Sequence, residues 1–305
     1  MKSRRSFLKS GSLAVAGTAL FSKQLFAAAN AKHITGLQLY SVRAEMMKDA
    51  AGTLKALSAM GYKYVEHANY MGRKFYKYSA TDFKKLLDDL GLKMPSGHTV
   101  LSKRHWDTAK NDFTDDWKYT VEDAATVGQE YVISPWLEDE YRKTSDALKA
   151  YMEVFNKCGE LCKSHGMKYG YHNHDFEFRD KLDGVLIYDI ILNYTNPDLV
   201  IQQFDIGNPF GVGCNPLDVL KKYPGRFASM HVKDEIKAAG DKGEMEGGYE
   251  SAVLGKGVVG VKEVVDYAKK HGGTRHFIIE QESYQGQAPL DSVKEDVQVM
   301  KGWGY

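Results

Sequence analysis

Side chains able to hold a metal or move a proton close a series of short apolar runs. Glu66 ends one run and His98 the next. His172 and His174 end another, followed by Asp205, by His231 with Lys233, and by Glu280 with Glu282. Burying such groups is costly unless something pairs with them, so their recurrence at run ends points to one shared site. Imidazole and carboxylate donors together suit a borderline divalent ion such as Mn2+, Fe2+, Co2+ or Zn2+. The set contains no thiolate, which argues against a structural zinc site. His172 and His174 are two apart in an extended run and so share a face, with Asn173 on the other. Only one of the two need be a ligand. The other can bond substrate or a ligand carboxylate.

Something must bring these run ends together. From residue 34 onward, a short β-branched or aromatic run is repeatedly followed by a longer helical one. The predicted strands are 34–40, 62–66, 92–98, 131–134, 167–174, 199–205, 227–232 and 277–280. The predicted helices are 45–60, 81–90, 115–127, 145–165, 189–193, 216–222, 261–271 and 290–300. Glycines 91, 128, 166 and 272 follow helical runs as stop signals. Eight strand–helix units imply parallel strands joined by right-handed crossovers. Closure into a (β/α)8 TIM barrel follows, with an open doubly wound sheet as the alternative. In a barrel, the C-terminal strand ends form one rim around one pocket. Two long connections, 99–112 and 234–259, rise over that rim as candidate lids.

The first 29 residues read as a leader rather than as part of the barrel. Ser3-Arg4-Arg5-Ser6-Phe7-Leu8-Lys9 precedes a mostly apolar stretch, 11–21, and the small residues Ala27-Ala28-Ala29. This order is that of a secretory signal, and the paired arginines resemble the twin-arginine type. A short amphipathic helix is the alternative. The apolar stretch is too short to span a bilayer, which needs about 20 residues, so no stable membrane insertion is expected. Residues 30–305 then form a single barrel domain, exported to a periplasm-like compartment.

The chain holds 41 Lys and Arg against 40 Asp and Glu, a net charge of +1. Such a balance offers no basic field for nucleic acid. Cys158, Cys162 and Cys214 are too few and odd in number for a disulfide framework. Cys158 and Cys162, four apart on a predicted helix, read as small buried residues. No phosphate-binding G-x-x-x-x-G-K-[ST] occurs. Gly255-Lys256-Gly257 is either an anion site before a helix or a lid hinge.

The stretches YHNHDFEF, QQFDIGNPFG, MHVKD and FIIEQE resemble the sugar phosphate isomerase/epimerase family of xylose isomerase-like TIM barrels. GLQLYSVR at 36–43 and GYKYVE at 61–66 are similar to its first two strands. The resemblance spans about 36–303. It implies one divalent metal, Mn2+ first with Zn2+, Co2+, Fe2+ or Mg2+ as alternatives. The ligands carried over are His172, Asp205, His231 and Glu280. Ketose 3-epimerases of the family have a glutamate where this chain has His172, whereas inosose dehydratase-like members have histidine.

The expected reaction is isomerisation or epimerisation of a sugar or keto-sugar through an enediolate. The alternative is a lyase, hydratase or dehydratase acting on 3-keto-glycosides or inosose-like polyols. Glu280, His174, Lys233 and Glu177 are the candidate acid–base and electrostatic groups. Glu66, His98, Trp136 and Glu282 are assigned to substrate binding. A DNA-repair endonuclease would need more ligands and a DNA-binding surface. A sugar-binding protein would need no metal. Trp303 packs on the barrel or on a partner subunit of a homo-oligomer.

Overall fold

The structure is a computed structural model, and it describes residues 33–239 and 247–305. Eight strands form the barrel: β1 (Ile34–Gln38), β2 (Tyr64–His67), β3 (Lys93–His98), β4 (Tyr131–Ser134), β5 (Lys168–His172), β6 (Val200–Asp205), β7 (Phe227–Val232) and β8 (His276–Ile279). Each pairs in parallel with its neighbours in sequence, and β8 returns to β1, closing the sheet. The open-sheet alternative is thereby excluded. A helix follows each strand: α1 (Ala50–Met60), α2 (Ala80–Asp89), α3 (Asp115–Val127), α4 (Ser145–Ser164), α5 (Ile187–Tyr194), α6 (Pro216–Lys222), α7 (Val261–Tyr267) and α8 (Pro289–Gly302).

Helix limits follow local chemistry. Asp49 caps α1 by accepting the Gly52 N–H, and this restart splits the single helix expected over 45–60. A shorter helix, Arg43–Lys48, precedes the break. Thr144 caps α4 on the Ala147 N–H. After α7 the chain takes a π-helical turn, Ala268–Gly272, so the left-handed terminator is Gly273 rather than Gly272. Strand β1 ends at Gln38, because Leu39–Val42 winds into a 3-10 turn. Strand β5 ends at His172, so His174 belongs to the following loop.

Apolar side chains of strands and helices fill the layer between barrel and helical ring. Leu37, Val65, Phe204, Phe227, Met230 and Phe277 are each fully buried. Cys158 and Cys162 are buried, and the Trp117 indole N–H points at Cys158 Sγ. Trp303 packs against the same core. Of the long connections, the one after β3 carries a two-stranded ribbon, Trp106–Asp107 with Asp112–Phe113. The one after β7 carries another, Asp234–Lys237 with Tyr249–Ala252. No helix among the described residues is long and apolar enough to cross a membrane. The leader expected over residues 1–29 lies outside the described residues.

Candidate metal centre and substrate cavity

Parallel register brings the polar strand ends to one height. Asp205 on β6 is the register partner of His231 on β7. His172 closes β5, and Glu280 follows β8 with its N–H bonded to Val232 O. His172, Asp205, His231 and Glu280 converge, each offering a ligand atom within 4.8 Å of the others, and all are buried.

The second oxygen of Asp205 bears on whether these residues fit a metal ion. Its Oδ1 accepts the N–H groups of Gly207 at 2.8 Å and Asn208 at 2.9 Å. Its Oδ2 is buried with no hydrogen-bond partner among the described residues. His231 Nδ1 lies 3.9 Å from that oxygen and 3.0 Å from Glu280 Oε2. Two carboxylates facing one imidazole nitrogen require a proton or a metal cation between them. The neutral and anionic nitrogen and oxygen donors fit a divalent ion of borderline character.

Electrostatics agree. Burial pushes the Asp205 carboxyl up to about 7, only partly offset by Lys233. Burial opposes charge on His231, yet Glu280 and Glu66 more than offset it and raise its pKa to about 10. Burial would likewise raise Glu280, but His231 and Lys233 hold it well below the carboxylate range. For His172, burial comes first and the neighbouring imidazoles second, and both hold it neutral.

A cavity of about 560 Å3 opens onto this cluster. His98, His172, His174, Glu280, Glu282 and Trp136 line it. Trp136 is 39% exposed, and its ring meets the His174 ring edge-on. Burial holds the His174 imidazole down to about 4, with Lys233 adding to the effect. Its Nδ1 has no hydrogen-bond partner among the described residues.

Three expected site residues sit elsewhere. Glu66 is fully buried and does not line the cavity, because Gln38, Ser96, Gln203 and His231 surround its carboxylate. Burial would raise its pKa, but His98 and His231 bring it down to about 2. Glu177 is also buried away from the cavity, accepting from the Tyr171 hydroxyl and the His174 N–H. That position suits fixing the His174 loop rather than taking a substrate proton. Lys233 is 1% exposed, and its ammonium is engaged by Glu282, with Glu280 at 3.8 Å. It is absent from the cavity wall.

Several contributors went unnoticed in the sequence. Gln203 bridges His98 and His172, at 2.6 and 3.1 Å from its Oε1. It lies two residues before Asp205 and so on the same face of β6, a signal that strand periodicity carries. Asn208 donates to Asn173 O and lines the cavity, with Tyr40, Tyr70 and Arg104. Nothing in the spacing marks these loop residues. The Gly255-Lys256-Gly257 loop does not wait for an anion from outside. Asp234 accepts its N–H groups, at 2.8 Å from Gly255 and 3.0 Å from Gly257.

The family model of xylose isomerase-like TIM barrels matches residues 54–303. An inosose dehydratase of Clostridium perfringens is 33% identical over 101 residues, 33% of this chain and 33% of that protein. The chain thus matches about a third of the length of such curated relatives. A solved sugar phosphate isomerase/epimerase from Parabacteroides distasonis is 25% identical, with a TM-score of 0.75. The match covers 89% of this chain and 95% of that one. The solved IOLI protein with a bound zinc atom, 14% identical, matches with a TM-score of 0.65 over 88% of this chain and 97% of its own. At that identity the likeness shows the fold. A family match over most of the barrel, on a chain whose polar strand ends converge, identifies this protein as a member of the xylose isomerase-like TIM-barrel enzymes.

Proposed function

We propose that this protein is a divalent-metal-dependent isomerase or epimerase of a sugar or keto-sugar. The observation that carries the reading is the unpartnered Asp205 Oδ2 inside a buried cluster of His172, His231 and Glu280. Those four residues would hold the ion, with Mn2+ as the expected metal. When bound, it supplies Lewis acidity at a substrate carbonyl oxygen and a neighbouring hydroxyl. The IOLI protein, which shares the fold, was solved with a zinc atom.

The chain's own groups handle the proton. His174, uncharged at neutral pH and on the cavity wall, takes a proton from the carbon beside the carbonyl. Returning it to the adjoining carbonyl carbon isomerises the sugar, and protonation of the original carbon from the opposite face, by Glu280, epimerises it. Glu280 serves as ligand and as a second candidate base. Trp136 and Tyr70 present ring faces and edges to a sugar's C–H surface, while His98 and Glu282 meet its hydroxyls.

Elimination is the second reading, on a 3-keto-glycoside or an inosose-like polyol. His172 standing in place of a second carboxylate supports it, as does the similarity to inosose dehydratase over 101 residues. In that reaction the same proton leaves and a β-hydroxyl or β-glycosyloxy group departs.

The test is NMR of metal-loaded protein in D2O with ketoses, inososes and 3-keto-glycosides. Deuterium beside the carbonyl in a product of unchanged composition supports isomerisation or epimerisation. Loss of water or aglycone supports the lyase. No exchange with any of them contradicts both readings. We also propose export through the Arg4-Arg5 leader. Arg4→Lys with Arg5→Lys should retain the protein in the cytoplasm on cell fractionation, and unchanged distribution would refute this.

A further inference from the structure

We infer that Glu66 and Gln203 are positioning residues that fix the tautomers of the two histidines in the metal centre. The inference rests on the metal-centre reading above. Glu66 sits in a register row with Gln38 and Ser96 across β1, β2 and β3. Gln203 sits in another with His172 and Ser229 across β5, β6 and β7. The two rows meet inside the barrel, where Gln203 Nε2 lies 2.8 Å from Glu66 Oε2 and 3.1 Å from Ser229 Oγ.

Donor and acceptor roles then follow one from another. A carboxylate only accepts, so Gln203 must turn its NH2 to Glu66 and its Oε1 the opposite way. That Oε1 lies 3.1 Å from His172 Nδ1 and 2.6 Å from His98 Nε2. An amide oxygen also only accepts, so both nitrogens carry hydrogen. A neutral imidazole has one N–H, which leaves His172 Nε2 as a bare lone pair.

The same logic holds for His231. Its Nε2 lies 2.7 Å from Glu66 Oε1 and donates to it. Its other nitrogen, Nδ1, faces Glu280 and Asp205 and presents a lone pair once a cation takes the place of its proton. Gln38, Ser96, Gln203 and His231 together occupy the roughly four acceptor positions of the Glu66 carboxylate. None remains for metal or substrate. His98 Nε2 is engaged by Gln203 and approaches Glu66 Oε1 at 3.2 Å. This favours the ligand set containing Asp205 and Glu280 over the alternative grouping of His98, His172 and His231.

Two measurements on the full-length protein test this. The first is long-range 15N–1H NMR of histidine-labelled, Zn2+-loaded protein. It should show His172 protonated at Nδ1 and His231 at Nε2, each with the other nitrogen shifted by metal. The reverse tautomer at either residue overturns the inference. The second is Zn2+ affinity by chelator competition in Glu66→Gln and Gln203→Met, with circular dichroism to confirm folding. Dissociation constants should rise about 10–100-fold in each. Equal affinity in both variants and the parent overturns the positioning role alone. Failure of the parent to bind Zn2+ overturns the metal centre with it. If a variant does not fold, the NMR result on the parent decides.

Discussion

His231 Nδ1 lies 3.0 Å from Glu280 Oε2, although 49 positions separate the two residues. The contact exists because β7 and β8 pair in parallel with His231 opposite Ile278, leaving Glu280 one step beyond the sheet. A nitrogen and a carboxylate oxygen at this separation share either a proton or a cation. Asp205, the register partner of His231, aims a third donor at the same point.

Asp205→Asn separates the metal site from the fold. Asparagine keeps the oxygen that accepts from Gly207 and Asn208, and replaces the unpartnered one with an NH2. Metal affinity should fall at least about 100-fold, and turnover with it. Melting of the metal-free protein should stay within about 2–4 °C, the size of a 1 kcal/mol change. Undiminished metal binding would remove Asp205 from the ligand set.

His174→Gln separates proton transfer from metal binding. The side chain lines the cavity, and its loop is anchored through Glu177 rather than through the ligands. kcat should fall by about 10²–10⁴-fold, with metal content per chain unchanged. Retained kcat would assign the base to Glu280, and lost metal would make His174 a ligand.

Asp234 pins the connection after β7. Its carboxylate accepts the N–H groups of Glu235, Gly255, Gly257 and Val259. A Cβ at position 257 would come within 2.2 Å of Asp234 Oδ1, which explains a glycine there. Asp234→Ala should cost about 1–3 kcal/mol for the donors left without partners. It should also speed hydrogen exchange at residues 255–259. Unchanged protection there would show that the turn holds without it.

Asp296 makes stability depend on pH far from the metal centre. Burial pushes its carboxyl up to about 7, against a single stabilising bond from the Leu254 N–H. The folded state therefore holds a proton that the unfolded chain releases near pH 4. Stability from this group is full below about pH 4 and declines as the pH rises through about 7. Asp296→Asn, which mimics the protonated acid, should match the parent in thermal melts at pH 4. At pH 8 it should melt higher by about 2–4 °C, corresponding to ~1 kcal/mol. A lower melting temperature than the parent at pH 8 would contradict this.

The barrel was legible because short strand-like runs alternate with helical ones, four of which are followed by the glycines 91, 128, 166 and 272. The candidate cluster was legible because polar residues close such runs, and the family resemblance singled out His172, Asp205, His231 and Glu280 among them. Depth was not legible. Glu66 also closes a run, yet its carboxylate meets Gln38, Ser96 and Gln203, which only the closed barrel brings around it. Glu177 and Lys233 were misplaced for a similar reason. Each is drawn to a local partner, Tyr171 and Glu282, that strand periodicity does not reveal. The break at Asp49 was missed because an acidic residue inside a helical run reads as a solvated face until its bond to Gly52 is seen.

Elemental analysis of the purified protein, with His231→Ala beside it, tests the metal centre most directly. One Mn, Zn, Co or Fe per chain in the parent, lost in the variant, is the predicted result. No metal in the parent and none taken up on addition would contradict the centre and leave a cavity that binds a sugar without transforming it.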